Sequence, residues 1–328
     1  MNEVLHGTAQ AMVSRPRGIL AADESIGTMS SRLEKVGVEV SAENRRAYRE
    51  MLLTTPGLDA GISGVILSDE TFHQKLSDGN TFPLAVHSLG ILPGIKVDTG
   101  AKPLAGSPEE KITEGLDGLR ERLADYVSSG ARFAKWRAVI VIGEGKPTRN
   151  ALRANAHALA RYAALCQEAW VVPIVEPEVL MDGDHTIERC AEVTRATLEQ
   201  VIAELAEAGV DLAGTVLKPN MVVPGSTSGQ QASPEEVAEQ TVATLRAVVP
   251  DSLAGVAFLS GGQSPEVATA NLAAMQKYDT PWPLTFSFGR ALVDPALKAW
   301  HGEPARVSAG QEALADRVNP NSAALVNA

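Results

Sequence analysis

The segment Gly214-Thr215-Val216-Leu217-Lys218-Pro219-Asn220 is an apolar β-type run that ends in one lysine and is stopped by a proline. Because proline cannot continue a paired strand, the pattern predicts that Lys218 lies at the C-terminal end of a strand. A lysine in such a place is often only a surface charge whose stem covers apolar neighbours. Whether Lys218 has a chemical role therefore depends on the residues that end the other strands.

Apolar strands alternate with helical segments along the whole chain. No GxGxxG motif follows the first strand and no composition break marks a linker, which favours a single α/β domain, a (β/α)8 TIM barrel, over a doubly wound sheet. We expect one domain over 1–328, with the barrel at about 18–301, an extra N-terminal helix, and a short C-terminal segment at about 302–328 that is at most partly helical. The eight strands are expected at 18–23, 64–68, 94–97, 131–141, 171–176, 212–218, 255–260 and 284–288.

Two segments carry the signature of a helix start. Ser107-Pro108-Glu109-Glu110 combines an N-cap serine, a proline at the first helical position and a capping-box glutamate, and predicts a helix running to Gly130. Ser233-Pro234-Glu235-Glu236 repeats the pattern and predicts a helix that ends before Pro250.

The composition limits the classes of partner. The chain has 328 residues, 45% of them hydrophobic, and a net charge of -11, so it has ample material for a core but no general basic face for nucleic acid. No apolar run of membrane-spanning length and no signal peptide is apparent, which predicts a cytoplasmic protein without a membrane partner. The two cysteines, Cys166 and Cys190, are expected to be buried reduced thiols.

Charged or polar side chains end seven of the eight predicted strands, where a barrel builds its site. Alternation within the fourth strand places Lys135 and Arg137 on one face and Trp136 on the other. The seven strand-end residues are Asp23, Lys96, Lys135, Glu176, Lys218, Ser260 and Arg290.

These residues suit amine chemistry. Desolvation and neighbouring cations, here Lys135 and Arg137, lower the pKa of a lysine and make the neutral, nucleophilic amine available. Lys218 could then form a Schiff base with a carbonyl, and a carboxylate such as Glu176 or Asp23 would transfer protons. The sequence therefore predicts carbon–carbon bond cleavage or formation.

An anionic substrate is also indicated. Ser260-Gly261-Gly262 and Gly289-Arg290 follow the seventh and eighth strands, where barrels often bind phosphate, although a lone Gly-Gly pair can be only a tight turn. The six histidines form no HxH or HExxH pair, so neither a metal nor another cofactor is expected. Asp182-Gly183-Asp184-His185 is interpreted as a turn before a helix N-cap rather than as a metal site.

Five strings closely resemble class I fructose-1,6-bisphosphate aldolase, and the similarity runs in order from about Gly18 to about Ala315. They are GILAADES at 18–25, FAKWR at 133–137, VEPE at 175–178, LKPNM at 217–221 and FLSGGQS at 258–264.

The resemblance implies a metal-independent barrel enzyme of glycolysis and gluconeogenesis. It would reversibly split fructose 1,6-bisphosphate into dihydroxyacetone phosphate and glyceraldehyde 3-phosphate. Lys218 matches the Schiff-base lysine, Glu176 the acid/base beside Lys135, Glu178 a supporting carboxylate, and Asp23 the residue that helps deprotonate the C4 hydroxyl. Ser260, Gly261, Gly289 and Arg290 match the site of one phosphate, while Thr28, Arg32, Lys96 and Arg137 match residues on the sugar and second-phosphate side. The family is usually a cytoplasmic homotetramer.

Three positions depart from the familiar animal enzymes. Thr28 replaces a serine and Phe288 a tyrosine, and the family's C-terminal tyrosine has no counterpart near Val326-Asn327-Ala328. Since that tyrosine assists proton exchange at the dihydroxyacetone phosphate carbon, another group is expected to serve that step.

Two alternatives remain open from the residues. One is another Schiff-base barrel, such as a transaldolase or deoxyribose-phosphate aldolase, acting on a different phosphosugar; the basic residues expected to bind two phosphates argue against it. The other is a non-catalytic phosphosugar-binding or scaffold protein, which would bind without turnover. The sequence does not set the preference between fructose 1,6-bisphosphate and fructose 1-phosphate, the subunit number or the physiological direction.

Overall fold

The computed structural model describes residues 2–326, and its centre is a closed barrel of eight parallel strands. The predicted (β/α)8 TIM barrel is therefore confirmed. In order around the barrel the strands are β1 (Gly18–Ala22), β2 (Ile62–Leu67), β3 (Leu92–Lys96), β6 (Phe133–Ile140), β7 (Val172–Val179), β8 (Val216–Leu217), β9 (Gly255–Phe258) and β10 (Leu284–Phe288), which pairs with β1. The remaining strands, β4 (Gly100–Leu104) and β5 (Ser107–Glu114), form a separate antiparallel hairpin.

Helices surround the barrel, and most of the longer ones begin at a serine or threonine whose side chain accepts a hydrogen bond from the first turn. They are α1 (Asn2–Met12), α2 (Ile26–Lys35), α3 (Ala42–Leu53), α4 (Leu58–Gly61), α5 (Asp69–His73), α6 (Phe82–Ser88), α7 (Leu119–Ser128), α8 (Arg149–Glu168), α9 (Ile187–Glu207), α10 (Pro234–Val248), α11 (Pro265–Met275), α12 (Arg290–Trp300) and α13 (Val307–Ala324). None of the helices within residues 2–326 is long and apolar enough to cross a membrane.

The barrel strands are buried on both faces because side chains fill the barrel interior and helices cover its outside. Leu5, Ala9 and Met12 of α1 pack with the interior residues Ile19 and Ile174. The extra N-terminal helix thus packs with the interior cluster of the barrel, and the functional cavity described below lies at the C-terminal ends of the strands.

The strand that leads to Lys218 is shorter than predicted. Only Val216–Leu217 are in a strand, and Leu212–Gly214 form a 3-10 turn instead. Side chains form hydrogen bonds with the backbone of this turn. Asp211 Oδ1 accepts a hydrogen bond from Ala213 N at 3.1 Å, and Gln167 Nε2 donates one to the backbone oxygen of Asp211 at 2.8 Å. Lys218 still donates its backbone N–H to Val175 O at 2.8 Å, so it keeps its place at the end of the strand.

The predicted helix start at Ser107-Pro108-Glu109-Glu110 is wrong, because these residues belong to β5 and the helix of this region begins only at Leu119. Glu110 does not close a capping box: its carboxylate accepts from Thr148 N at 2.7 Å and from Thr148 Oγ1 at 2.6 Å, at the start of α8. Tertiary contacts of the hairpin therefore override a short local signal. The matching prediction at Ser233 is confirmed by α10.

The expectation that the C-terminal segment is at most partly helical is also wrong, because α13 extends over 18 residues. Leu314 and Val318, one turn apart, are buried, and the Arg317 guanidinium donates to Pro265 O at 2.7 Å. Packing against neighbouring helices therefore stabilises a helix in a composition that is locally poor for one. Asn327 and Ala328, at the end of the segment where the family's terminal tyrosine was sought, lie outside the described residues.

Candidate active site

A cavity of 710 Å³ lies at the C-terminal ends of the barrel strands. All but one of the residues predicted for the site line it. These are Asp23, Thr28, Arg32, Lys135, Arg137, Glu176, Glu178, Lys218, Ser260, Gly261, Gly289 and Arg290. The exception is Lys96, which is paired in register with Lys135 but has its Nζ on Asp98, 2.8 Å from Oδ1 and 2.9 Å from the backbone oxygen.

Strand alternation places the central charges. Lys135 and Arg137 of β6 both line the cavity, while Trp136 between them is buried and lies with its ring 5.6 Å from that of Tyr162 on α8. The same period brings Glu176 and Glu178 of β7 into the cavity. The predicted division of the β6 faces is confirmed.

Lys135 holds two carboxylates together at the floor of the cavity. Its Nζ lies 2.6 Å from Asp23 Oδ2 and 3.4 Å from Glu176 Oε2, and all three side chains are almost fully buried. Burial alone would lower the pKa of Lys135, but the charges of Asp23 and Glu176 outweigh it and raise that pKa well above the usual range. Lys135 is therefore a permanent cation at neutral pH.

Lys218 has the opposite character. Its side chain is 4% exposed, and Nζ lies 3.3 Å from Glu176 Oε1. Burial is the largest cause that lowers its pKa, the charge of Lys135 lowers it further, and Glu176 only partly offsets them. The neutral amine is therefore more accessible at Lys218 than in an exposed lysine.

Part of this pKa effect was predicted to come from Arg137, which is not among its largest causes. Arg137 Nε lies 2.5 Å from Glu178 Oε2, so its charge is already paired. The charges that act most strongly on the pKa of Lys218 are those of Glu176, Lys135 and Asp23.

Asp23 is the second carboxylate beside the lysine pair. Burial would raise its pKa, yet the charges of Lys135, Lys218 and Lys96 together bring that pKa below its ordinary value. Asp23 is thus an ionised hydrogen-bond acceptor that lines the cavity.

The loops after β9 and β10 present backbone groups and one arginine. Gly261 and Gly262 have φ of 58° and 84°, a left-handed region in which a side chain would be strained. A Cβ on Gly262 would lie 3.8 Å from Arg290 Nη2, which shows that the guanidinium lies next to this turn. Gly289 precedes α12 without a side-chain cap, so the helix N-terminus at the cavity is available to an anion.

Several residues that line the cavity were not predicted from the sequence. Ser287 Oγ is buried and finds no hydrogen-bond partner among the described residues, as expected of a group that awaits a ligand. Four further residues lie on the same helix faces as Thr28 and Arg32 of α2 and Arg290 of α12. On α2 they are three residues further along the helix, and on α12 they are four and eight residues further along. They are Ser31, Lys35, Asp294 and Lys298.

The two other departures have small consequences for the cavity. Phe288 is buried with its ring 5.5 Å from that of Phe286, and Ser287 rather than Phe288 lines the cavity. Thr28 lines it, and its Oγ1 accepts from Ser25 Oγ at 3.0 Å.

Residues 182–185 were interpreted as a turn before a helix N-cap. Thr186 accepts from Arg189 N at 3.3 Å and starts α9, which confirms the N-cap. Over the residues that the structure describes, no group of three or more histidine, cysteine, aspartate or glutamate side chains could hold a metal ion.

The comparisons with known proteins all indicate the same family. The model of the class-I fructose-bisphosphate aldolase family matches residues 4–328. The "Probable fructose-bisphosphate aldolase class 1" of Xanthomonas campestris is 55% identical over 98% of this chain and 97% of its own length. "Fructose-bisphosphate aldolase 6, cytosolic" of Arabidopsis thaliana is 52% identical over 95% of this chain and 87% of its own length. A fructose-bisphosphate aldolase of Plasmodium falciparum, solved with TRAP and a small-molecule inhibitor, superposes with a TM-score of 0.97 at 47% identity and covers 98% of this chain and 94% of that one.

Proposed function

The chain belongs to the class I fructose-bisphosphate aldolase family, and from this premise we propose that Lys218 is the amine through which it acts. Its reaction is the metal-independent cleavage of fructose 1,6-bisphosphate into dihydroxyacetone phosphate and glyceraldehyde 3-phosphate, and the reverse condensation, through a lysine Schiff base. One observation carries the assignment: Lys218 is buried, its pKa is lowered, and its Nζ lies 3.3 Å from the carboxylate of Glu176.

In the first half of the reaction, the neutral Lys218 amine attacks the C2 carbonyl of the open-chain sugar. Glu176 takes up the proton that the Lys218 ammonium group loses and delivers it to the carbonyl oxygen, and it then passes a second proton from the nitrogen to the same oxygen, which leaves as water and produces a protonated imine. Lys135 supports this step because it holds the second oxygen of Glu176, at 3.4 Å, and stays cationic throughout. Glu178, bound to Arg137, keeps that arginine at the cavity wall.

In the second half, the iminium nitrogen withdraws electrons from the C3–C4 bond. Asp23 accepts the proton of the C4 hydroxyl, the bond breaks, and the aldehyde product leaves with its own phosphate. The remaining enamine takes a proton at C3, and water then releases dihydroxyacetone phosphate from Lys218. Asp23 is ionised for this role because Lys135 and Lys218 lower its pKa against the effect of burial.

The phosphate groups would bind at two walls of the cavity. The loop Ser260-Gly261, the N-terminus of α12 and the Arg290 guanidinium converge on one side and suit the phosphate near the imine carbon. Thr28, Arg32 and Arg137 line the cavity and suit the sugar and the second phosphate. Lys96 does not line the cavity, and its Nζ lies 2.8 Å from Asp98, so it would have to leave that carboxylate to contact the sugar or the second phosphate.

Trapping the covalent intermediate tests the assignment. Borohydride added with dihydroxyacetone phosphate should reduce the imine and give one adduct, mapped to Lys218 by peptide mass spectrometry. Omitting dihydroxyacetone phosphate is the control, since borohydride does not modify free lysine. An adduct on Lys135, or no adduct at all, would contradict the proposed mechanism.

A second prediction concerns the phosphate loop. Arg290→Ala should raise KM for fructose 1,6-bisphosphate by about 10- to 100-fold, because a charge-assisted contact to phosphate is lost. Steady-state kinetics would measure it, with Arg132→Ala as a matched control, since Arg132 is an exposed arginine at the opposite end of the barrel. An equal change in both variants would show a general charge effect instead of phosphate binding.

We extend the proposal to the location, the subunit number and the domain organisation of the protein. The cytosolic name of the Arabidopsis relative supports a cytoplasmic location. We propose a homotetramer, the usual state in the family, and the exposed apolar side chains of Leu84 and Trp170 support contacts between subunits. That the whole chain is one domain is supported by the packing of α13 against α12, α11 and α3.

A further inference from the structure

Arg32 is held between two carboxylates in the wall that α2 and α12 form. Glu24 accepts a hydrogen bond from Arg32 Nη1, and Asp294 accepts one from Nη2 at 2.5 Å. The Arg32 side chain is 11% exposed, that of Glu24 14% and that of Asp294 42%. A residue expected to bind phosphate is therefore already paired with acidic groups of this chain.

Glu24 cannot leave this arrangement easily. Its Oε2 lies 2.9 Å from Nη2 of Arg49, a residue that is 2% exposed, and Arg49 also donates to the backbone oxygen of Glu24 at 3.3 Å. Moving Glu24 would leave the charge of a buried arginine without its partner, which is strongly unfavourable. Glu24 is thus a fixed partner of Arg32.

Asp294 can leave. Because it is partly exposed, its carboxylate can turn into water at little cost, and an ion pair of this kind is weak. Carboxylate and phosphate oxygens compete for the same guanidinium N–H groups. Asp294 therefore occupies, in exchangeable form, a position that a substrate phosphate would take.

The other charged residues of α2 and α12 that line the cavity are basic. Arg290 and Lys298 lie four residues before and after it on α12, and all three line the cavity. Lys35 lines the cavity from α2, one turn beyond Arg32. Asp294 is thus the one negative charge that these two helices bring to the cavity, beside Glu24, which Arg32 and Arg49 hold in place.

We propose that Asp294 competes with the second phosphate of the substrate for Arg32 and so lowers the preference of the enzyme for bisphosphates over monophosphates. The inference rests on the proposed function. The imine forms at C2, so the phosphate on C1 lies close to Lys218 and only the distant phosphate on C6 reaches the Arg32 wall. Fructose 1-phosphate lacks that group and is insensitive to the competition.

The test compares two substrates in one variant. Asp294→Asn should raise the ratio of kcat/KM for fructose 1,6-bisphosphate to kcat/KM for fructose 1-phosphate by about fivefold, the size expected of one partly exposed charge. Asp182→Asn is the matched control, because it removes the same charge from an exposed loop that follows β7 and does not line the cavity. The control variant should keep the wild-type ratio.

A double variant tests whether Asp294 acts through Arg32. In an Arg32→Met background Asp294→Asn should change the ratio much less, because the group for which the two anions compete is absent. A ratio that is unchanged or lower in Asp294→Asn alone overturns the proposal, as does an equal rise in the Asp182→Asn control. An equal rise in the Arg32→Met background overturns the competition for Arg32. Failure of the wild-type protein to cleave fructose 1,6-bisphosphate, or to give an adduct at Lys218, would instead overturn the proposed function.

Discussion

Replacing Lys218 with methionine is expected to reduce cleavage of fructose 1,6-bisphosphate by about 10,000-fold or more while the fold is retained. The loss follows because none of the other cavity lysines among the described residues is suited to replace it: Lys35 and Lys298 are exposed, and Lys135 is held as a cation by Asp23 and Glu176. Single-turnover assays would measure the rate, and borohydride trapping of the variant should give no adduct.

The fold should survive because methionine has nearly the length of lysine and suits a buried site. Lys218 is 3% exposed, so the expectation does not rest on its being a surface residue. Glu176 keeps Lys135 as a partner at 3.4 Å after the substitution, and its charge does not become isolated. Thermal unfolding should give a melting temperature within a few degrees of the wild type, whereas a variant that fails to fold would show that Lys218 also has a structural role.

The opposite pKa shifts of Lys135 and Lys218 show which features of the site can be predicted from the sequence and which cannot. Pro219 after Lys218, and the alternation of Lys135, Trp136 and Arg137, are local patterns that fix where a side chain points. The assignment of acid, base and nucleophile depends instead on distances between strands, and those arise only when the barrel closes. The sequence predicted that desolvation and neighbouring cations together lower the pKa of Lys218, but that burial is the largest of these causes became apparent only in the structure.

Long-range contacts account for the errors as well. The local cap signal at Ser107 is sound, but the carboxylate of Glu110 bonds Thr148, 38 residues away, and the segment forms a strand. The pair between Arg32 and Asp294 joins residues 262 positions apart, so no periodicity in either helix could reveal it. Local patterns predicted the barrel and most of its lining, whereas the ionic connections across the cavity required the folded chain.

The two roles proposed for the lysines predict different costs when each is removed. Lys218→Met takes away the nucleophile but leaves Asp23 and Glu176 with Lys135. Lys135→Met takes away the only lysine that lies within 4 Å of both carboxylates among the described residues. Stability measurements should therefore separate the two variants even though both are inactive or nearly so.

Lys135→Met is expected to lower the free energy of unfolding by about 3 kcal/mol at pH 7, since it leaves the buried Asp23 without its ion-pair partner and Glu176 with Lys218 alone. Cleavage should fall by about 1,000-fold, because proton transfer by Glu176 and Asp23 loses its support.

In the wild type the pKa of Asp23 is lowered, so its contribution to stability is present above about pH 4 and is lost as the pH falls through the folded pKa. In the variant we expect burial to raise the pKa of Asp23, because the largest charge that opposes burial is gone, and the folded state would then gain stability as the pH falls. The deficit should therefore shrink between pH 7 and pH 4, which urea unfolding at several pH values would measure. Lys102→Met, at an exposed lysine of β4, is the matched control. A deficit equal to that of the control, or one that is constant with pH, would mean that Lys135 does not hold the two carboxylates in their charged form.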